Sequence, residues 1–108
     1  MNKFFNIFSK SAKPEFYIDE NTFLVDVRTK AEFESGSVAT AVNIPLDTIK
    51  SNLSQFEGRS NIVLFCRSGN RSKIAMASLE SAGITNVQNG ISAKVVFEYL
   101  EEHKIQLM

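Results

Sequence analysis

Cysteine occurs once in the 108-residue chain, at position 66, and its neighbours are of the kinds that make a thiol reactive. Cys66 directly follows the apolar run Ile62-Val63-Leu64-Phe65 and opens the segment Cys66-Arg67-Ser68-Gly69-Asn70-Arg71, after which the spacing turns helical. A helix start offers unpaired backbone N–H groups and the positive end of the helix dipole, an arrangement that binds anions. Gly69 and Asn70 tolerate left-handed backbone, so successive N–H groups can curl into a nest around an anion. Arg67, Arg71 and Lys73 add positive charge, and no acidic residue occurs between Glu57 and Glu80. Such surroundings lower a cysteine pKa by about one to several units and yield thiolate near neutral pH. The other reading of a free cysteine is a small buried hydrophobe. A place at the end of the strand, facing a polar and basic loop, favours the reactive thiol.

Positioning that loop requires a scaffold, and the apolar pattern supplies one. Thr22–Val27 is a continuous apolar run, which predicts a strand buried on both faces, and residues 62–65 predict another. Thr29-Lys30-Ala31-Glu32 has the spacing of a capping box and starts a short helix ending near Gly36. A short strand at residues 42–44 is stopped by Pro45; residues 46–52 read as helical, and a polar loop runs to Asn61. A helix from Arg71 to Ala82 presents Ile74, Ala75, Ser78, Leu79 and Ala82 as its core face and is closed by Gly83. A strand at 86–88 and a helix at 93–103 complete the pattern. Strands alternating with helices predict an α/β fold with a parallel sheet covered on both faces, and ligands of such sheets sit beyond the carboxyl ends of the strands, where Cys66 lies.

Composition bounds the function. The chain is one domain in size and long enough to bury about two-thirds of its unfolded surface without a staple. Its 44% hydrophobic and 22% charged residues are a soluble globular balance, and twelve basic against twelve acidic residues argue against nucleic-acid binding. One cysteine and one histidine exclude a four-ligand zinc site and a disulfide within the chain, which suits a reducing, cytoplasmic setting. Residues 1–14 read as an N-terminal extension in which Phe4, Phe5, Ile7 and Phe8 share one side of a short helix, packing on the domain (residues 15–108) or on a second copy in preference to lying weakly on a membrane surface. That stretch lacks the pattern of a secretory signal, and no segment has the length of a stable membrane span. His103 reads as a surface or helix-terminal residue, and the nine phenylalanines read as core.

Taken together, several segments resemble the rhodanese family. Leu24-Val25-Asp26-Val27-Arg28, Glu32-Phe33, Gly36 and Ala41-Val42-Asn43-Ile44-Pro45-Leu46 are similar to that family's D-V-R, E-F and G-H-I-x-G-A-x-N-I-P pattern. Cys66-Arg67-Ser68-Gly69-Asn70-Arg71-Ser72 closely resembles the active-site loop of its single-domain members, and Leu79, Gly83, Val87 and Gly90 continue the family's order. The resemblance implies a rhodanese-like α/β fold with a central, mainly parallel sheet of about five strands. It further implies a sulfurtransferase in which Cys66 takes the outer sulfur of thiosulfate or a related persulfide donor and passes it to cyanide or a thiol, including a protein thiol. On that reading the amides of Arg67, Ser68, Gly69, Asn70 and Arg71 hold the persulfide, the side chains of Arg67 and Arg71 attract the anionic donor, and no metal or organic cofactor is implied. Arg28 and Glu32, four apart at a helix start, are expected to form a structural ion pair, and Asp26 to orient Arg28 or reach toward the loop.

Two other classes stay open. One is a rhodanese-fold binding module or a redox-sensing or persulfide-carrying thiol. The other is a cysteine phosphatase or arsenate reductase, disfavoured because Arg71 comes five residues after Cys66 and Ser72 stands where those enzymes place arginine. The chain also departs from the family pattern. Ser37-Val38 replaces histidine-isoleucine, Thr40 replaces a glycine, and Asn89-Gly90-Ile91 replaces a double glycine, putting Ile91 near the mouth of the pocket.

Overall fold

The computed structural model describes residues 15–107, so the N-terminal extension, with its expected helix, lies outside the described residues. Four parallel strands form one sheet in the order β2-β1-β3-β4, with β1 at Thr22–Asp26, β2 at Val42–Asn43, β3 at Asn61–Cys66 and β4 at Val87–Ser92. Three α-helices follow strands in turn: α1 at Lys30–Glu34, α2 at Asn70–Ser81 and α3 at Ala93–His103. Thr29 and Glu32 form the expected capping box of α1, and Ser92 caps α3 through the Val95 amide. The stretch between β2 and β3 holds two 3₁₀ turns, Leu46–Ser51 and Leu53–Gln55, followed by a fully buried Phe56, so it is more structured than a polar loop.

Strand periodicity explains the continuous apolar runs. Phe23, Val25, Val27, Ile62, Leu64 and Cys66 alternate onto one face, against Ala75 and Leu79 of α2. Leu24, Val63 and Phe65 alternate onto the other, against Val96 of α3 and against Phe16 and Ile18. Helices on both faces are therefore present, with four strands among the described residues rather than about five. Residues 16–18 add no strand, because both backbone groups of Tyr17 bond to the Gln88 side-chain amide (3.0 and 2.9 Å) instead of to a backbone ladder.

Two core expectations need correction. The buried face of α2 is Ser72, Ala75 and Leu79, with Met76 beside it, whereas Ile74 is 56% exposed. The helix is phased by Ser72, which turns inward to the site, and residues three, four and seven further on follow it. Phe97 is 54% exposed and is no core residue, although Phe16, Phe23, Phe56 and Phe65 are.

The register of β3 against β4 shifts between Leu64 and Phe65, whose partners are Asn89 and Ile91, so Gly90 is the extra residue of a bulge. A Cβ on Gly90 would lie 2.7 Å from Val63 Cγ1 and 2.8 Å from Val96 Cγ2, both on fully buried, β-branched side chains. Gly90→Ala is expected to destabilise the protein by about 1–3 kcal/mol through overpacking, lowering the thermal midpoint by roughly 5–20 °C. A thermal melt checks this, and an unchanged midpoint would mean that α3 can move off the sheet at no cost.

Candidate active site

The sheet order places a topological switch between β1 and β3. From β1 the chain passes to β2 on one side, and from β3 it passes to β4 on the other. In parallel sheets this leaves a crevice beyond the carboxyl ends of the two strands. Cys66, the last residue of β3, sits there under the N-terminus of α2.

Cys66 is 2% exposed, and its Sγ accepts a hydrogen bond from the Gly69 amide at 3.1 Å and lies 3.5 Å from Ser72 Oγ. Gly69 adopts φ +97°, a left-handed conformation open to glycine, and this turns its N–H back onto the sulfur. Asn70 is the first residue of α2 rather than a second left-handed position, so the helix begins one residue earlier than its pattern suggests. Burial pushes the Cys66 thiol up; the Ser72 hydroxyl and the amides of Ser72, Ser68 and Gly69 outweigh it and bring the thiol down from 9.0 to about 7.

Around this centre the sequence-predicted residues divide. Ser68 and Gly69 contribute amides at the sulfur, while the side chains of Arg67 and Asn70 are exposed. Arg71 turns away to meet Glu32 of α1 in a bidentate pair, Nη1 to Oε1 at 2.7 Å and Nη2 to Oε2 at 3.0 Å. The expected Arg28–Glu32 pair does not form. Asp26, with its side chain 0% exposed, takes Arg28 instead, accepting from Nε at 3.0 Å and from Nη2 at 2.7 Å. Asp26 therefore orients Arg28, and its carboxylate also accepts from the Ser37 hydroxyl at 2.8 Å. His103 is exposed at the end of α3, bonded to the Tyr99 carbonyl and stacked on the Tyr99 ring, as its helix-terminal reading expects.

Glu32 has three jobs at once: it accepts from the Thr29 amide, pairs Arg71, and so ties the helix after β1 to the helix after β3. The Arg71 fork, followed by the Thr29 amide, holds its carboxyl down from 4.5 to about 2. A lowered folded-state pKa gives stability that is present above about 4.5 and lost as pH falls through about 2. Glu32→Gln is thus expected to be less stable than the parent at pH 7, with the difference closing between about 4.5 and 2. Urea melts across that range check it; a pH-independent difference would mean that shape, not charge, holds the pair.

Ser72 and Asn89 complete the site without having been given a role from sequence. Ser72 Oγ donates to Asn89 Oδ1 at 2.7 Å, and Asn89 Nδ2 donates to the Gly69 carbonyl at 3.0 Å. The available signal was the asparagine itself, standing where a glycine was expected. Ile91 lies beside Gly69, partly exposed at the edge of the loop, as the sequence suggests.

Comparison with known proteins agrees with this geometry. The family model described as rhodanese-like domain matches residues 15–93. The chain is 34% identical over 88 residues to a sulfurtransferase of Allochromatium vinosum, covering 79% of this chain and 82% of that one. It is also 34% identical to a putative mitochondrial thiosulfate sulfurtransferase of Schizosaccharomyces pombe, covering 66% of this chain and 59% of the relative. Among solved structures, a rhodanese-like domain protein from Staphylococcus aureus superposes with TM-score 0.60 at 32% identity, covering 79% of this chain and 78% of that one. A rhodanese with anions from E. coli gives 0.62 at 28% identity, covering 68% and 89%. A match that spans the whole sheet together with its cysteine loop leaves one assignment: the chain belongs to the rhodanese-like domain family.

Proposed function

We propose that the protein is a sulfurtransferase that carries sulfane sulfur as a persulfide on Cys66, with thiosulfate or a related persulfide as donor. Its family and its sulfurtransferase-named relatives support sulfur transfer in general. The observation that carries the finer reading is the thiol itself. It is held at the mouth of a parallel sheet by an inward-turned amide, and the lowering of its pKa from 9.0 to about 7 gives it thiolate character at neutral pH.

In the first half-reaction the Cys66 thiolate attacks the outer sulfur of thiosulfate. A sulfur–sulfur bond forms, the donor's own sulfur–sulfur bond breaks, and sulfite leaves with the electron pair. In the second, cyanide or a thiolate attacks the outer sulfur of the persulfide, and Cys66 departs as thiolate. Neither step requires a positioned general acid, because sulfite and a thiolate of pKa about 7 are both competent leaving groups. The amides of residues 67–71 receive the outer sulfur's charge, with Gly69 the one already bonded to Sγ. Arg67 supplies exposed positive charge for an anionic donor, since among the described residues it belongs to none of the three ion pairs. Arg71, engaged by Glu32, braces the loop. No helix described here is long and apolar enough to cross a membrane, and a free thiol of this kind suits a reducing cytoplasm.

Intact-protein mass after mixing reduced protein with thiosulfate, with sulfite assayed in the same tube, tests the reading. The expected result is a gain of one sulfur atom matched by released sulfite, at a rate that rises through about pH 7 and levels above it. No gain from thiosulfate or from low-molecular-weight persulfides, with Cys66 still open to thiol probes, would point to a binding or sensing domain. Turnover of a phosphatase substrate would point to the phosphatase class.

A further inference from the structure

Among the described residues, the side-chain hydrogen bonds that hold the cysteine loop from β4 come from Asn89. Asn89 donates through Nδ2 to the Gly69 carbonyl at 3.0 Å, and its Oδ1 accepts from Ser72 Oγ at 2.7 Å and from the Ile91 amide at 2.9 Å. A serine hydroxyl has one hydrogen to give. Three acceptors compete for that of Ser72: Asn89 Oδ1 at 2.7 Å, the Gly69 carbonyl at 3.2 Å and Cys66 Sγ at 3.5 Å. The shortest contact takes the hydrogen, so Ser72 presents a lone pair to Sγ. That orientation suits a neutral thiol donating to Ser72; the hydroxyl stabilises the thiolate, and so lowers the thiol pKa, only when its hydrogen turns toward sulfur.

The Asn89 carbonyl cannot follow the hydroxyl if it turns. Its second bond, from the Ile91 amide, closes a turn in which Ile91 sits at φ +74°, a conformation β-branched residues strongly disfavour. The bulge at Gly90 makes that turn, and the buried Val63 and Val96 press against Gly90 from behind. The carbonyl is thus anchored by backbone that the sheet itself constrains.

We propose that Asn89 is a positioning residue for Cys66: its anchored carbonyl holds the Ser72 hydroxyl hydrogen away from Sγ, so that forming the thiolate requires drawing that hydrogen back. The inference rests on Cys66 as the reacting thiol. Its use is a balance, since a thiol far more acidic than the surroundings is a poorer nucleophile, and attack is best served by a pKa near ambient pH.

The charged residues on the elements around the cysteine loop are Arg71 and Lys73 of α2, Glu32 of α1, Arg67 of the loop, Asp26 and Arg28 at the end of β1, Asp47 and Lys50 of the first 3₁₀ turn, and Lys94 of α3. Of these, Arg71 interacts electrostatically with Cys66. β4 contributes none between Val87 and Ser92. All of these remain in variants at Ser72 and Asn89, so differences between variants report the hydroxyl.

The test is the rate of Cys66 alkylation by iodoacetamide against pH in the full chain, which needs no sulfur donor. Asn89→Ala is expected to move the midpoint of the profile down by about half a unit to one unit, the equivalent of one ordinary hydrogen bond. Ser72→Ala is expected to move it up, and the double variant should coincide with Ser72→Ala. Asn89→Gly, which also lacks the amide, should repeat the Asn89→Ala shift and stands in for it if the alanine variant does not fold. A midpoint unchanged or raised in the Asn89 variants overturns the proposal, as does a downward shift that persists without the Ser72 hydroxyl. A protein that shows the expected shifts yet accepts no sulfur would refute the proposed function and leave this inference standing.

Discussion

Replacing Cys66 with serine is expected to reduce sulfite release from thiosulfate to background, a loss on the order of 10³-fold or more. The hydroxyl would occupy nearly the same place, since Sγ is buried and its neighbours are an amide and a hydroxyl that can bond oxygen as well as sulfur. Stability should therefore change little, and circular dichroism with a thermal melt distinguishes lost chemistry from lost fold. What disappears is the soft, ionisable nucleophile. An un-ionised hydroxyl at neutral pH has no neighbouring base to activate it, because the one histidine lies at the far end of α3. The chain contains no other cysteine, so retained transfer could not be assigned to a second thiol and would remove the persulfide mechanism altogether.

The parts of this site that were legible in the sequence are those set by local pattern. A continuous apolar run ending in cysteine, then a glycine before a helical stretch, is enough to place Cys66 at a strand end under a helix N-terminus. The Thr29–Glu32 capping box is equally local, and it stands as expected. The pairing of Glu32 was not legible, because its partner Arg71 is 39 residues away and the competing choice, Arg28, is four residues away on the same segment. What decides is Asp26, which captures Arg28 from two residues back and leaves Glu32 free to reach across the switch point. The phase of α2 was obscured for a related reason. Ile74 looks like a core residue by type, yet the helix is rotated by the inward-facing Ser72, whose partner Asn89 lies on a different strand. β4 was expected to end at Gln88 because the polar Gln88 and Asn89 and the bulged Gly90 interrupt its pattern. Of these, Asn89 carries the bonds that link the strand to the cysteine loop, while Gln88 bonds Tyr17 and Asn61.

Removing the Asp26 carboxylate should bring the largest loss of stability of any single change in the site, about 3–5 kcal/mol for Asp26→Ala. The Asp26 side chain is fully buried and that of Arg28 is only 11% exposed, so the charge left behind has little access to water. The carboxylate also accepts from the Arg28 backbone amide at 3.0 Å and from Ser37 Oγ, and both donors would be orphaned together. Through Arg28 Nη2, which donates to the Gly36 carbonyl at 2.7 Å, the loss would spread to the turn after α1. Against a total stability of about 5–15 kcal/mol for a domain of this size, the thermal midpoint should fall by well over 10 °C. Asp26→Asn keeps an acceptor of the same shape and should lose less, which separates the charge from the hydrogen bonds. Asp26 bonds neither Cys66 nor Ser72, so in the cold, where the variant is still folded, the pH profile of Cys66 alkylation should match the parent. Denaturant melts and that profile, measured on one preparation, would show whether the end of β1 acts as a brace alone. A displaced profile would mean that the Asp26–Arg28 pair reaches the thiol through the loop, and a small loss of stability would mean that water readily solvates Arg28 once its partner is gone.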